Sequence, residues 1–264
     1  MSKDKGKRMK KKIFFYILEL IFICLIIFSA VKIFIWNKEN QTNSEILENI
    51  QESVTIDENN ETKVDFATIK EKYPEVVGWI KVEGTDVNYP VVQANNNEYY
   101  LYHSIDKSDN GAGWIFADYN NKIDGTDKNI IIYGHNRRDG SMFSTLKNIL
   151  NSDWYNNENN KYVTFITEQE NTKYEVFSAY QIENEDYYLK TSFGGNKSFS
   201  EFTKKLKERS VKDFGTEVVD TDSILTLSTC ANDNNYRVVL HAKKTAVQNN
   251  DEEIFNGWQE GEQE

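Results

Sequence analysis

The sequence predicts a mainly β domain, built as an antiparallel sheet or barrel, behind one N-terminal transmembrane helix. An apolar segment at residues 13–36, with Glu19 and Lys32 as its charged residues, is long enough to cross a bilayer. Eight short runs rich in β-branched and aromatic residues follow, with few helical stretches between them, as is typical of such β folds. The runs are VVGWIKV, NYPVVQ, GWIFAD, NIIIYGH, YVTFIT, YEVFSAYQI, SILTLSTC and YRVVLHAK.

The flanks of the apolar segment predict its orientation. Residues 1–12 carry seven Lys or Arg residues against one Asp, so the positive-inside rule places them in the cytoplasm and the chain after about residue 37 outside the cell. A cleavable signal peptide is the alternative. The apolar stretch exceeds a typical signal-peptide core and no A-x-A site follows it, which favours a signal-anchor over residues 13–36.

Composition limits the remaining possibilities. The chain has 264 residues, of which 39% are apolar, enough for one sizeable soluble domain. It has 31 basic and 42 acidic residues and a net charge of −11. This acidic balance argues against a nucleic-acid partner.

The polarity of the chain divides the region after the anchor into three parts. Residues 37–63 are polar and predict an extracellular stalk with one short helix, marked by Ile46, Leu47 and Ile50. Residues 64–248 form the globular domain, and the acidic residues 249–264 are expected to be a disordered tail. Helices are predicted at 65–72, 141–150 and 198–209; Ser198 and Glu201 have capping-box spacing in the last of these.

The two cysteines cannot pair with each other. Cys24 lies in the apolar segment and Cys230 near the other end of the chain, so a bilayer residue would have to reach an extracellular one. Cys230 is therefore a free thiol in an oxidising compartment. It is either a reactive group or a small buried apolar residue, and this fact alone does not choose between them.

Cys230 and Arg237 are placed to act together. The sequence around them predicts a strand, a polar turn (ANDNN) and a second strand, and a symmetric turn would put the two residues opposite each other on one face. A guanidinium beside a thiol favours the thiolate and can donate hydrogen bonds to an oxyanion. Without a third partner, an ion pair on the barrel surface is the better explanation of Arg237.

A histidine would complete an acyl-transfer site. His135 follows the apolar strand NIIIY at a polar turn, His103 follows an aromatic run, and His241 alternates in register with Arg237. Imidazole could take the thiol proton and return it to a leaving amine. Spacing alone does not choose among the three, and no metal-ligand spacing supports a zinc site.

The order YGHN, TLSTC and YRVV resembles the sortases, and the likeness extends over about residues 64–245. PEVVGWIKVEGTDVNYPVVQ, NNEYYLYHS, GWIFAD, RVVLHAK and a helix-bearing insertion at about 183–215 resemble class B. The resemblance implies a closed barrel of about eight strands, with an N-terminal helix and a helix inserted before the strand that carries the cysteine. It also implies a membrane-bound cysteine transpeptidase of Gram-positive bacteria that uses no metal or other cofactor.

The resemblance also implies roles for particular residues. His135, Cys230 and Arg237 would be catalytic. The substrate groove would include positions before and beside these three and in the insertion: Asn97, Leu101, Tyr133, Ser228, Thr229, Tyr187 and Tyr188.

The implied reaction cleaves a C-terminal sorting signal of a surface protein after Thr through a thioacyl intermediate. An amine of a peptidoglycan precursor or a pilus subunit then accepts the protein. Two alternatives remain open: an extracellular cysteine protease without transfer, and a surface binding module without catalysis.

Overall fold

A computed structural model describes residues 2–57, 62–183, 185–230 and 236–249. The chain divides into two compact units between Ile46 and Leu47. Helix α1 (Ser2–Gln51) contains the apolar segment. Among the described residues it is the one helix long and apolar enough to cross a membrane, and an 18-residue window of it has a mean hydropathy of 2.7. The helix continues to Gln51, so the short helix predicted within 37–63 is the end of α1 rather than a separate element.

Eight strands of the described residues close into a barrel, which confirms the predicted fold class. Strand β1 (Val54–Ile56) first pairs with β2 (Thr62–Val64) outside the barrel. The barrel order is β10-β8-β7-β3-β4-β5-β6-β9. Its strands are β3 (Val76–Val82), β4 (Asn88–Val92), β5 (Phe116–Ala117), β6 (Asn129–Gly134), β7 (Tyr162–Ile166), β8 (Glu170–Glu183), β9 (Ile224–Cys230) and β10 (Tyr236–Asn249).

The barrel is mixed rather than wholly antiparallel. Strands β4 and β5 are parallel, and so are β6 and β9. The predicted strand runs lie within or around the observed strands, while β8 and β10 extend beyond them and pair along nearly their whole length. Of the acidic tail predicted for 249–264, only Asn249 is among the described residues.

The helices lie close to their predicted positions, with two corrections. Helix α2 (Phe66–Lys72) is capped by Asp65, which accepts a hydrogen bond from the Thr68 amide at 3.1 Å. The helix predicted at 141–150 is a 3-10 helix over Ser144–Leu150, followed by the short helix α3 (Ser152–Tyr155). Further 3-10 turns cover Tyr99–Leu101 and Glu158–Lys161.

The inserted helix α4 (Asn196–Glu208) begins two residues before its predicted start. The capping-box prediction at Ser198 is wrong, because Gly195 holds the N-cap position with a φ of 131°, a conformation that other residues rarely adopt. Its apolar face is as predicted: Phe199, Phe202 and Leu206 are buried in a cluster with residues of β8, β9 and β10.

A buried polar network adjoins this cluster and is centred on His241, which is 0% exposed. Asn129 donates through Nδ2 to the Lys190 carbonyl (3.0 Å), so its Oδ1 accepts from the Thr226 hydroxyl (2.7 Å). The Thr226 oxygen must therefore accept from His241 Nδ1 (2.9 Å). This assigns the Nδ1–H tautomer to His241.

The other ring nitrogen continues the network towards the insertion. His241 Nε2 lies 2.9 Å from the Tyr180 hydroxyl, which in turn accepts from the Tyr187 hydroxyl at 3.0 Å. Because Nδ1 carries the hydrogen, Nε2 is the acceptor. Burial lowers the pKa of His241 to about 3, so the ring is neutral and every hydrogen bond in the series has one donor and one acceptor.

This network predicts a loss of stability in mild acid. The pKa of His241 is about 6.5 in the unfolded chain and about 3 in the folded chain, so between these values the unfolded chain binds more protons. The contribution of His241 to the free energy of unfolding therefore decreases as pH falls through this range, by about 1.4 kcal/mol per unit at most. Urea unfolding at pH 7, 6 and 5 should show that the free energy of unfolding declines less steeply with falling pH in His241→Gln than in the parent protein. Equal declines in the two proteins would contradict the assignment.

Candidate active site

The strand pairing brings Cys230 and Arg237 opposite each other. Cys230 is the last residue of β9, and its Cα partner across the antiparallel pair is Arg237, near the start of β10. Opposed residues in such a pair project from the same face. The arrangement predicted from a symmetric turn is therefore confirmed, although the turn itself, residues 231–235, lies outside the described residues.

The parallel pairing on the other side of β9 selects one histidine. Gly134, the last residue of β6, is the partner of Thr229, and the next residues along the two strands are His135 and Cys230. His241 is buried in the core, and the ring of His103 stacks on Tyr99 with 4.0 Å between the centroids. His135 thus follows the β6 residue that is paired with the residue before Cys230.

The hydrogen bond of His135 determines which nitrogen exchanges a proton. Nε2 lies 2.9 Å from the Leu101 carbonyl oxygen. A carbonyl only accepts, so Nε2 carries a hydrogen whether the ring is neutral or charged. The nitrogen that gains and loses a proton is therefore Nδ1.

The surroundings of His135 favour the neutral ring. Burial lowers the pKa of His135, and the cationic Arg137 and Arg237 lower it further, against the opposing effect of the Leu101 carbonyl. The residue that follows β6 is therefore an imidazole that favours its neutral form.

Close backbone packing holds the loop that supplies Leu101. Gly113 has a φ of 60°, and a Cβ at this position would lie 2.5 Å from the Tyr100 carbonyl oxygen and 3.0 Å from His135 Cδ2. The Trp114 amide also donates to the Tyr100 carbonyl at 2.9 Å. The contact between His135 and Leu101 is therefore supported by a tightly packed backbone.

The comparisons with known proteins agree with this architecture. A family model described as the Sortase domain matches residues 80–245. Sortase B of Listeria monocytogenes is 34% identical over 236 residues, covering 86% of this chain and 94% of the relative. Sortase B of Staphylococcus aureus is 30% identical over 241 residues, covering 89% and 98%.

The chain belongs to the sortase B family.

Solved structures of the family share the fold. The sortase B structure from Bacillus anthracis in complex with AAEK2 has a TM-score of 0.70 at 34% identity, covering 79% of this chain and 98% of that one. A sortase B complexed with triglycine has a TM-score of 0.64 at 33% identity, covering 68% and 85%. Sortases are cysteine transpeptidases that join proteins bearing sorting signals to amines, so this chain is an enzyme of that class.

Three of the predicted groove positions surround one carboxylate or contact His135. Asn97 donates to Asp118 Oδ2 at 2.8 Å, and the Tyr133 hydroxyl donates to the same oxygen at 2.7 Å. The Leu101 carbonyl accepts a hydrogen bond from His135 Nε2. Asp118 was not predicted; its sequence signal is an acidic residue directly after the apolar run of GWIFAD.

Three of the other four predicted groove positions in this sortase are buried residues. Ser228 and Thr229 are buried on β9, and Tyr188 is 0% exposed. The Ser228 and Tyr188 hydroxyls share a hydrogen bond of 2.9 Å. Tyr188 therefore lies in the buried cluster under α4. Tyr187 is partly buried, with Lys205 Nζ 3.8 Å from its ring centroid.

Metal ligation finds no support in the part of the chain that the structure describes. There, no group of three or more His, Cys, Asp or Glu side chains is arranged to hold a metal ion.

The two histidine environments predict opposite tautomers in one protein. At pH 7, His135 should be protonated on Nε2 and bare on Nδ1, whereas His241 should show the reverse. Ring-nitrogen chemical shifts measured by NMR distinguish these forms, and His103→Gln and His135→Gln assign the signals. We also expect His135 to titrate below 6.5, since burial lowers its pKa. A bare Nε2 on His135 would contradict the site geometry.

Proposed function

We propose that this sortase cleaves a C-terminal sorting signal after Thr through a thioester on Cys230. The observation that carries the proposal is the strand register, which pairs Cys230 with Arg237 on one side and sets His135 beside it on the other. The family supplies the reaction class. The residue roles below are proposed on this geometry.

In the first step the Cys230 thiol gives its proton to His135 Nδ1, and the sulfur attacks the Thr carbonyl carbon. The resulting oxyanion accepts hydrogen bonds from the Arg237 guanidinium. The C–N bond then breaks, His135 returns the proton to the leaving amine, and a thioester remains.

In the second step a primary amine attacks the thioester carbonyl carbon. His135 accepts the proton of the attacking nitrogen, the C–S bond breaks, and Cys230 regains its proton from His135. The product is a new amide. We propose an amine of a cell-wall precursor or a pilus subunit as the acceptor, and the related sortase B complexed with triglycine makes that tripeptide a suitable test amine.

We propose that α1 anchors the enzyme in the cell membrane as a single span, with the N-terminus in the cytoplasm and the barrel outside. The basic residues before the apolar segment support this orientation. Protease added to intact cells should remove the barrel and leave a fragment of the membrane segment. A barrel that is protected until the cells are lysed would refute the orientation, and release of the mature protein would indicate a cleaved signal peptide.

The cysteine assignment predicts that one variant loses transfer completely and that its matched control keeps the transfer activity of the parent enzyme. The full chain in detergent is incubated with sorting peptides and triglycine, and products are identified by mass spectrometry. Cys230→Ala should form neither thioester nor transfer product, whereas Cys24→Ala should match the parent enzyme. Transfer by Cys230→Ala would refute the mechanism. Hydrolysis without transfer by the parent would favour a protease, and no cleavage together with peptide binding would favour a binding module.

Arg237 should contribute mainly to the transition state. We expect Arg237→Gln to lower kcat about 100- to 1000-fold, the usual effect of removing one oxyanion donor, while KM changes much less. Arg138→Gln, in an exposed position, is the control for loss of a positive charge nearby and should stay within about twofold of the parent. A similar loss in both variants would indicate a general electrostatic effect instead.

A further inference from the structure

A buried carboxylate, that of Asp118, lies next to the proposed site. Asp118 is 4% exposed, and both of its carboxylate oxygens are occupied. Oδ2 accepts from Asn97 Nδ2 (2.8 Å) and the Tyr133 hydroxyl (2.7 Å). Oδ1 accepts from the Asn120 amide (2.9 Å) and Asn120 Nδ2 (3.0 Å). Four donors thus replace the water that an exposed carboxylate would bind.

The two donors on Oδ2 belong to the two segments that meet at His135. Asn97 lies just before the 3-10 turn that ends at Leu101, whose carbonyl accepts from His135 Nε2. Tyr133 lies on β6, two residues before His135. One oxygen of the Asp118 carboxylate therefore joins the segment that carries the Leu101 carbonyl to the strand that leads to His135.

The backbone around Asp118 makes this junction rigid. Its amide donates to the Ile131 carbonyl of β6 at 2.8 Å, and its own carbonyl accepts from Gln93 Nε2 at 2.8 Å. The side chain of Asn97 is held at its other end as well, because Oδ1 accepts from the Tyr119 amide at 3.0 Å. Movement of the Leu101 segment away from β6 would break several of these bonds at once.

We propose that Asp118 is a positioning residue that holds the Leu101 carbonyl against His135 Nε2 and thereby orients Nδ1 for proton exchange. The inference rests on the proposed function for its catalytic consequence, but the positioning itself does not depend on it. Asp118 acts through Asn97 and Tyr133 and does not touch the reacting atoms.

Asp118→Asn tests the proposal with little change of shape. An amide nitrogen cannot accept a hydrogen bond, so two of the four donors lose their partner. The matched control is Asp127→Asn. Asp127 also accepts two donors on one oxygen, from the Lys122 amide (2.9 Å) and the Ile123 amide (2.8 Å), but these donors belong to neither segment that meets at His135.

The first measurement needs no substrate. In the full chain in detergent, NMR follows exchange of the His135 Nε2–H proton with water. We expect exchange to be at least about tenfold faster in Asp118→Asn, the scale of one lost hydrogen bond, and unchanged in Asp127→Asn. Unchanged exchange in Asp118→Asn, or equal acceleration in both variants, would overturn the proposal even in an active enzyme. If Asp118→Asn does not fold, Tyr133→Phe removes one donor and should also accelerate exchange.

The second measurement is transfer to triglycine, normalised to the amount of reactive thiol so that misfolded protein is not counted. Asp118→Asn should lower kcat about 10- to 100-fold, as expected for a misplaced catalytic group, with a smaller change in KM. A change confined to KM would make Asp118 a substrate-binding support and would refute its role at His135. An inactive parent enzyme would contradict the proposed function alone, since the exchange measurement remains.

Discussion

The position of β9 between two strands of opposite direction is the constraint on which the site depends. Its parallel partner β6 ends at Gly134, and its antiparallel partner β10 begins at Tyr236. One strand end therefore brings together residues that are about a hundred positions apart in the chain. Because a one-residue shift would turn alternate side chains to the opposite face, the buried residues along β6, β9 and β10 also preserve the register of the site.

Burial controls the charge of the site as well as its shape. The imidazole of His135 loses hydration and lies near two arginines, which together keep the pKa low. In a poorly hydrated site, interactions between charges are stronger than in water. In the proposed mechanism, a neutral base and a permanent cation avoid the repulsion that two cations would have, and the guanidinium stays charged for an oxyanion throughout the reaction.

The sequence predicted the elements better than it predicted their contacts. The sequence predicted two strands joined by a polar turn, with Cys230 opposite Arg237. The observed register agrees with this local prediction. Spacing alone left His103, His135 and His241 open, and the family resemblance pointed to His135. The structure adds the parallel pairing of β6 with β9, which joins distant parts of the chain and places the residue before His135 opposite the residue before Cys230. The same limit applies to Tyr188: its burial in the cluster with α4 depends on the packing of the helix on the barrel, which local sequence does not show.

Asp118 shows why supporting residues are harder to find than reacting ones. A thiol, an imidazole and a guanidinium carry recognisable chemistry, whereas a carboxylate after a short strand is usually a surface or turn residue. Its burial becomes favourable only because Asn97, Asn120 and Tyr133 converge on it, and two of these come from separate segments. A carboxylate in such a position cannot move without leaving donors unpaired. Its hydrogen bonds therefore resist the loop motion that would separate Leu101 from His135, and the base is oriented by the fold before any substrate binds.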